Sequence, residues 1–224
     1  MKIIGGMIMV MMGIIFNASG ASAAEVINLP PPAHKGTVSV EEALKARRTV
    51  RHFASRGLSL AQVSQLLWGT DGISDPRGLR TAASAGATYP LEIYLVVGER
   101  GVTNLAPGVY RYLPRGHALQ AAAKGDVRGD VARASLYQSW MAEAPIMVVI
   151  AAEFRRCTAR YGERGIMYTH IEAGHAGTNL FLQAEALGLG AGIVGAFDNR
   201  NLAQVLKLPS NHEPLLVMPV GYKY

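Results

Sequence analysis

Residues 166–197 read IMYTHIEAGHAGTNLFLQAEALGLGAGIVGAF. The first 22 of these contain no proline, and Ile166, Ala173, Gly177, Leu180, Ala184 and Leu187 recur at helical spacing. The pattern predicts one long amphipathic helix over 166–187, largely buried. Ala173, Gly174, Ala176 and Gly177 are small, so another helix or a planar ligand edge can approach it closely. Gly188 supplies the residue that takes a left-handed cap where the helix stops. Gly190, Gly192 and Gly195 then punctuate a short apolar segment, 191–194, with Val194 inside it. Backbone without side chains beside an interior strand suits a tight bend or contact with a flat ligand, and both readings stand. His170 and His175 are five residues apart, roughly 140° around a helix, so they do not form the i,i+4 pair that holds a metal. No metal site is expected.

Outward from this stretch, LEIYLVV at 91–97 and IMVVIAA at 146–152 read as interior strands. Residues 215–220 give a final strand and 108–113 a short edge strand, with 115–125 continuing the surface. Residues 126–137 read as helix, 154–165 as a basic loop, and 201–206 as a short helix. Ser39 caps a helix with Glu41 and Glu42 in its first turn, and Ser59 caps a second over 58–68. Residues 24–35, with three prolines at 30–32, form an extended lead-in that cannot be helical. The remainder, 36–224, is one domain with no internal repeat.

The 224 residues are half apolar and carry a formal charge of +6, enough chain for one substantial core. One cysteine, Cys157, excludes an internal disulfide and a cysteine-built zinc site. The basic residues are scattered except at 47–51 and 155–160, which argues against nucleic acid and for an anionic ligand. In the run RRTVRHF at 47–53, three arginines within five residues repel one another unless solvated or facing an anion. A phosphate suits Arg47, Arg48 and Arg51 with the Thr49 hydroxyl between them. Residues 80–90, RTAASAGATYP, are small and irregular and feed directly into the strand at 91. At the N-terminus, Lys2, an uncharged apolar run at 3–16 and Ala21-Ser22-Ala23 predict an export signal cleaved after Ala23. The expected location is periplasmic, or cytoplasmic if no signal operates, with no stable membrane insertion after cleavage.

Four pieces in order resemble the nitroreductase-like flavoproteins, and most closely their SagB-type dehydrogenase branch. They are RRTVRHF at 47–53, ASAGATYPLE at 83–92, EAGHAGTNLFLQAEALGLG at 172–190 and VGAFD at 194–198. The resemblance implies an α+β fold, a central mixed or antiparallel sheet flanked by helices, and a homodimer binding FMN between subunits. It implies that Arg47 and Arg51 contact the phosphate or ribityl chain, with Arg48 and Thr49 beside them. Ala83, Ser84 and Ala85 come from the other subunit, and Gly192, Val194 and Gly195 lie against the ring with a backbone N–H aimed at N5. Lys223 matches the family's C-terminal basic contact. The cofactor carries the redox chemistry, so no side-chain acid, base or nucleophile is demanded, and catalytic residues stay unassigned. Tyr89, Trp140 and Lys223 are candidate helpers, the first two as cover over the open face of the ring. Hydride or electrons then pass from a donor, NAD(P)H or a ring-containing substrate, to an acceptor: either a nicotinamide reduces a nitroaromatic or quinone-like small molecule, or a modified peptide or small ring is itself dehydrogenated. A non-catalytic flavin-binding or flavin-scavenging protein is the alternative reading. The place of the family's asparagine falls to Ala87, and the SagB lysine–tyrosine pair has only Tyr89, Tyr137, Tyr168 and Lys223 as candidates.

Overall fold

The computed structural model describes residues 25–224; the export signal predicted over 1–23 lies outside the described residues. Seven strands form one sheet: β1 (Val26–Asn28), β2 (Leu91–Val97), β3 (Gly108–Leu113), β4 (Ala118–Lys124), β5 (Ile146–Ala152), β6 (Leu189–Ala191) and β7 (Glu213–Tyr222). Their spatial order is β1-β4-β3-β2-β5-β7-β6. Every pairing between these strands is antiparallel, and parallel character enters through isolated bridges, Thr49 to Ala191 and Leu58 to Val102. Six helices accompany the sheet: α1 (Val40–Ala46), α2 (Leu60–Asp71), α3 (Arg128–Ala134), α4 (Phe154–Tyr161), α5 (Arg164–Ala186) and α6 (Asn199–Val205). The fold is α+β.

All seven residues of β2 and of β5 are buried, because both faces of the sheet centre are covered. Alternation along β2 sends Ile93 and Leu95 into a core shared with Leu66, Leu67, Ala173, Ala176 and Leu180 of α2 and α5. Tyr94 and Val96 point the other way, into a core with Val131 of α3, Met141 and Leu202 of α6. Ser39 and Ser59 each close a capping box, with Glu42 and Gln62. Gly188 takes φ +70° after α5, as its position predicts.

Several expectations need correction. The long helix is present over Arg164–Ala186, but only one face is buried; Ile166, Met167 and Ile171 are exposed. Gly165, Thr169, Glu172, Ala173 and Ala176 face inward instead, because the sheet and α2 pack on that side. The strand at 108–113 is interior, since β4 covers its outer edge and β1 pairs beyond that. Residues 118–124 (ALQAAAK), expected only to continue the surface, form β4; alanine carries little strand signal, and the pairing with β3 supplies what propensity lacks. The basic loop at 154–165 contains α4, whose one buried side, Cys157, is too narrow to show as a periodicity. The apolar segment at 191–194 is strand only to Ala191, with Val194 reaching β7 by an isolated bridge to Val217.

Candidate functional site

The arginine run leaves α1 in extended form and lies along β6. Thr49 bridges Ala191, the Val50 amide donates to the Ala191 carbonyl at 2.9 Å, and Phe53 bridges Lys223. One seam therefore collects Arg47, Thr49, Arg51, the glycine segment and the C-terminus. Two glycines there are sterically required. A Cβ on Gly190 would meet Val50 Cγ2 at 2.7 Å, and one on Gly192 would meet the Val50 carbonyl oxygen at 2.8 Å and Trp140 Cη2 at 2.7 Å. Close approach of neighbouring chain accounts for both. The amides of Gly192 and Val194 donate to Pro219 and Val217 in β7, whereas those of Ile193 and Gly195 have no such partner among the described residues.

The cations of this seam divide. The Arg47 guanidinium sits over the Phe181 ring at 5.1 Å and that of Arg51 over Trp140 at 5.7 Å. Neither has a carboxylate partner among the described residues. Arg48 turns back onto the Lys45 and Arg47 carbonyls at 2.9 and 2.8 Å, closing the end of α1 rather than facing the seam. Lys223 is ion-paired with Glu185. Two stacked, unneutralised guanidiniums beside free backbone amides fit an anionic, ring-bearing group such as FMN.

A second cluster forms where residues 80–90 cross α5. Ser84 Oγ accepts the Tyr89 amide at 2.9 Å, Asn179 donates to the Thr81 carbonyl at 3.1 Å, and Arg156 and Arg160 donate to the Tyr89 and Gly86 carbonyls. These bonds hold Ala87 and Tyr89 at φ +53° and +45°, conformations a non-glycine residue adopts only when its surroundings impose them. Arg80 pairs with the buried Asp71 and stacks on Tyr89 at 4.7 Å. Ala83, Ser84 and Ala85 face Tyr168, Ile171, Glu172 and His175 of α5 across a cavity of about 290 Å³. Glu172 is 2% exposed, and neither of its carboxyl oxygens has a hydrogen-bond partner among the described residues. Burial pushes its pKa up to about 7 against the pull of the Ser84 hydroxyl, Arg80 and the Ala85 amide, which lie near without bonding geometry. Burial likewise pushes Asp71 up to about 7, with Arg80 opposing. Sequence reasoning missed both carboxyls; Glu172 stood in the quoted stretch, but which helix face it occupied was not readable. Tyr89 belongs to this second cluster and Trp140 to the first.

Beneath the sheet end, Glu92 accepts from both Arg111 and Arg156. Burial raises its pKa, but the two guanidiniums outweigh this and hold the carboxyl below its ordinary value. Ligand atoms of Glu92, Glu153 and His212 lie within 4.8 Å of one another. Arg156 already pairs with both Glu92 and Glu153, so the set reads as an ion network rather than a metal centre.

Comparison with known proteins identifies the family. A protein of Methanocaldococcus jannaschii, named as a putative nitroreductase, is 43% identical over 186 residues, 83% of this chain and 92% of its own. A trifolitoxin operon protein of Rhizobium leguminosarum bv. trifolii, TfxC, is 27% identical over 58% of this chain, a stretch that makes up 40% of that protein. Among solved structures, a putative nitroreductase of Ralstonia eutropha JMP134 superposes with a TM-score of 0.78 at 28% identity, covering 89% of this chain and 90% of that one. The E. coli microcin synthetase McbBCD complex shares the fold at a TM-score of 0.68 and 22% identity, covering 97% and 85%. The nitroreductase family pattern itself matches residues 44–222, from the end of α1 to the last residue of β7. The chain belongs to the nitroreductase family, and membership carries with it an FMN-dependent oxidoreductase activity.

Proposed function

We propose that FMN is held along the seam between residues 47–51 and 192–195, in a homodimer whose second copy contributes Ala83, Ser84 and Ala85. Arg47 and Arg51, which lack carboxylate partners among the described residues, hold the phosphate, and that one observation carries the reading. Thr49 adds a hydroxyl beside them. The unpartnered amides of Ile193 and Gly195 face the ring, while Lys223, neutralised by Glu185, contributes position more than charge. When bound, FMN supplies the hydride and electron chemistry; the chain binds and orients it and excludes water. The electron donor is NAD(P)H or a ring-containing substrate of the kind SagB-type dehydrogenases oxidise, and likeness to a toxin-operon protein supports the second option. Export after Ala23 places this activity in the periplasm, and N-terminal sequencing of the natural protein tests it.

The purified chain is expected to be yellow, with one FMN per subunit. Replacing Arg47 and Arg51 together by alanine removes two charge-assisted contacts of roughly 1.5–3 kcal/mol each, so FMN affinity falls at least about 100-fold. A folded double variant with unchanged FMN affinity overturns the phosphate assignment. Wild-type protein that stays colourless in excess FMN overturns the cofactor reading.

A further inference from the structure

We propose that the Glu172 carboxyl group binds the amide edge of a ligand seated between α5 and residues 83–85. The inference deepens the oxidoreductase reading by naming the ligand chemistry that this part of the site selects, and it rests on that reading only for its connection to redox turnover.

Both carboxyl oxygens are buried without a partner, yet the side chain lines an open cavity. Buried polar atoms are satisfied in the great majority of folded proteins, so an orphaned carboxyl at a cavity wall marks where a ligand's polar atoms belong. The cavity of about 290 Å³ lies at the small end for ligand sites and suits a single ring or a short peptide unit. Its walls are the methyl groups of Ala83 and Ala85 and the Ile171 side chain, with His175 and Tyr168 along the helix side.

The chemistry of the occupant follows from what already surrounds the carboxyl. Arg80 acts on it from the segment after α2, and Asp71 of α2 lies behind Arg80. His175 and Tyr168 come from α5 itself, and Arg160 of α4 is held at Gly86. The positive charge nearby disfavours a second cation, and the carboxyl disfavours an anion. A neutral group that offers an N–H and a C=O side by side matches a protonated carboxyl at two points: the acid carbonyl accepts the N–H and the acid O–H donates to the C=O. Such an edge occurs in a primary carboxamide on a ring and in one extended residue of a peptide, whose own N–H and C=O point the same way, whereas those of a single trans peptide bond point apart.

Two probes separate these sources: benzamide for the ring carboxamide and N-acetylglycine methylamide for the peptide unit, with methyl benzoate as the ring without an N–H. Each is titrated calorimetrically into the full chain at pH 6 and pH 8, and FMN content is read from absorbance of the same samples. At least one amide is expected to bind at pH 6 and to weaken about tenfold at pH 8, as the carboxyl with a pKa near 7 ionises. Methyl benzoate is expected not to bind. Glu172→Gln keeps an amide's donor and acceptor, so it retains affinity and loses the pH dependence; Glu172→Leu loses binding at both pH values. Failure of both amides to bind wild type overturns the proposal, as does unchanged binding by Glu172→Leu or a persisting pH dependence in Glu172→Gln. Should Glu172→Leu not fold, the glutamine variant alone decides. Amide binding by a colourless protein refutes the flavin reading and keeps this inference; a yellow protein indifferent to both amides does the opposite.

Discussion

At the scale of single residues, two buried carboxyls compete for one guanidinium. Arg80 bonds to one oxygen of Asp71, leaves the other oxygen unpartnered, and reaches Glu172 only through space. Burial raises the folded-state pKa of both acids to about 7, above the ordinary values of 3.8 and 4.5. Between those values and 7 the folded protein binds more protons than the unfolded chain, so these groups lower stability as pH rises through that window. Below pH 4 they cost nothing. Glu172→Gln removes one of them, so it is expected to leave stability unchanged at pH 4 and raise it by up to about 3 kcal/mol at pH 8. Urea denaturation at the two pH values measures this, and an equal effect at both would show that the carboxyl is already satisfied. A second residue-scale prediction concerns Trp140, which lies half-buried against Gly192 beneath Arg51. Trp140→Ala is expected to reorder the steady-state preference among acceptors while FMN content and melting temperature hold. A uniform loss with a large drop in melting temperature would make it a core residue only.

At the scale of elements, legibility in the sequence tracked how much of the signal was local. The caps at Ser39 and Ser59 and the stop at Gly188 depend on residues three or four apart, and all three are where the sequence places them. β2 and β5 declared themselves as unbroken apolar runs. β4, α4 and β1 did not, because what holds them comes from far along the chain. β1 is the sharpest case. Its three residues pair with β4, and the prolines after it are fastened by a buried relay across the first core. Tyr112 donates to His117 Nδ1 at 2.8 Å, His117 Nε2 lies 2.6 Å from Ser64 Oγ, and Ser64 donates to the Pro30 carbonyl. A single neutral tautomer of His117 satisfies all of these, and burial lowers its pKa in keeping with that form. Ser64→Ala removes the hydroxyl link, but His117 Nε2 still lies 3.1 Å from the Pro30 carbonyl, so the expected cost is that of one hydrogen bond, about 0.5–1.5 kcal/mol. Amide exchange is expected to quicken at 26–29 while β5 stays protected. Uniform loss of protection would mean that the lead-in is integral to the core rather than strapped onto it.

At the scale of the whole molecule, the candidate site is divided along α5. Glu172, beside Ser84, and Phe181, beneath Arg47, are nine residues apart, about 13 Å along the helix axis. The resemblance gathers the arginine run and residues 83–85 around one cofactor, but that both border this helix, and at different levels, is not legible in the sequence. The resemblance assigned residues 83–85 to a partner, and the exposed side of α5 is suited to meet one. Ile166, Met167 and Ile171 leave 46%, 40% and 47% of their surface in water, an apolar stripe on a helix whose opposite side is core. A two-fold axis near this stripe would place the 83–85 segment of one copy toward the guanidiniums of the other, completing two equivalent sites at once. The chain is therefore expected to sediment as a dimer at micromolar concentration. Met167→Glu puts a charge on the stripe without entering the core, so it should shift the protein to monomer and release FMN together, with the melting temperature of the monomer little changed. A monomeric wild type that retains FMN would place the whole cofactor site within one chain, and residues 83–85 would then serve only the cavity beside Glu172.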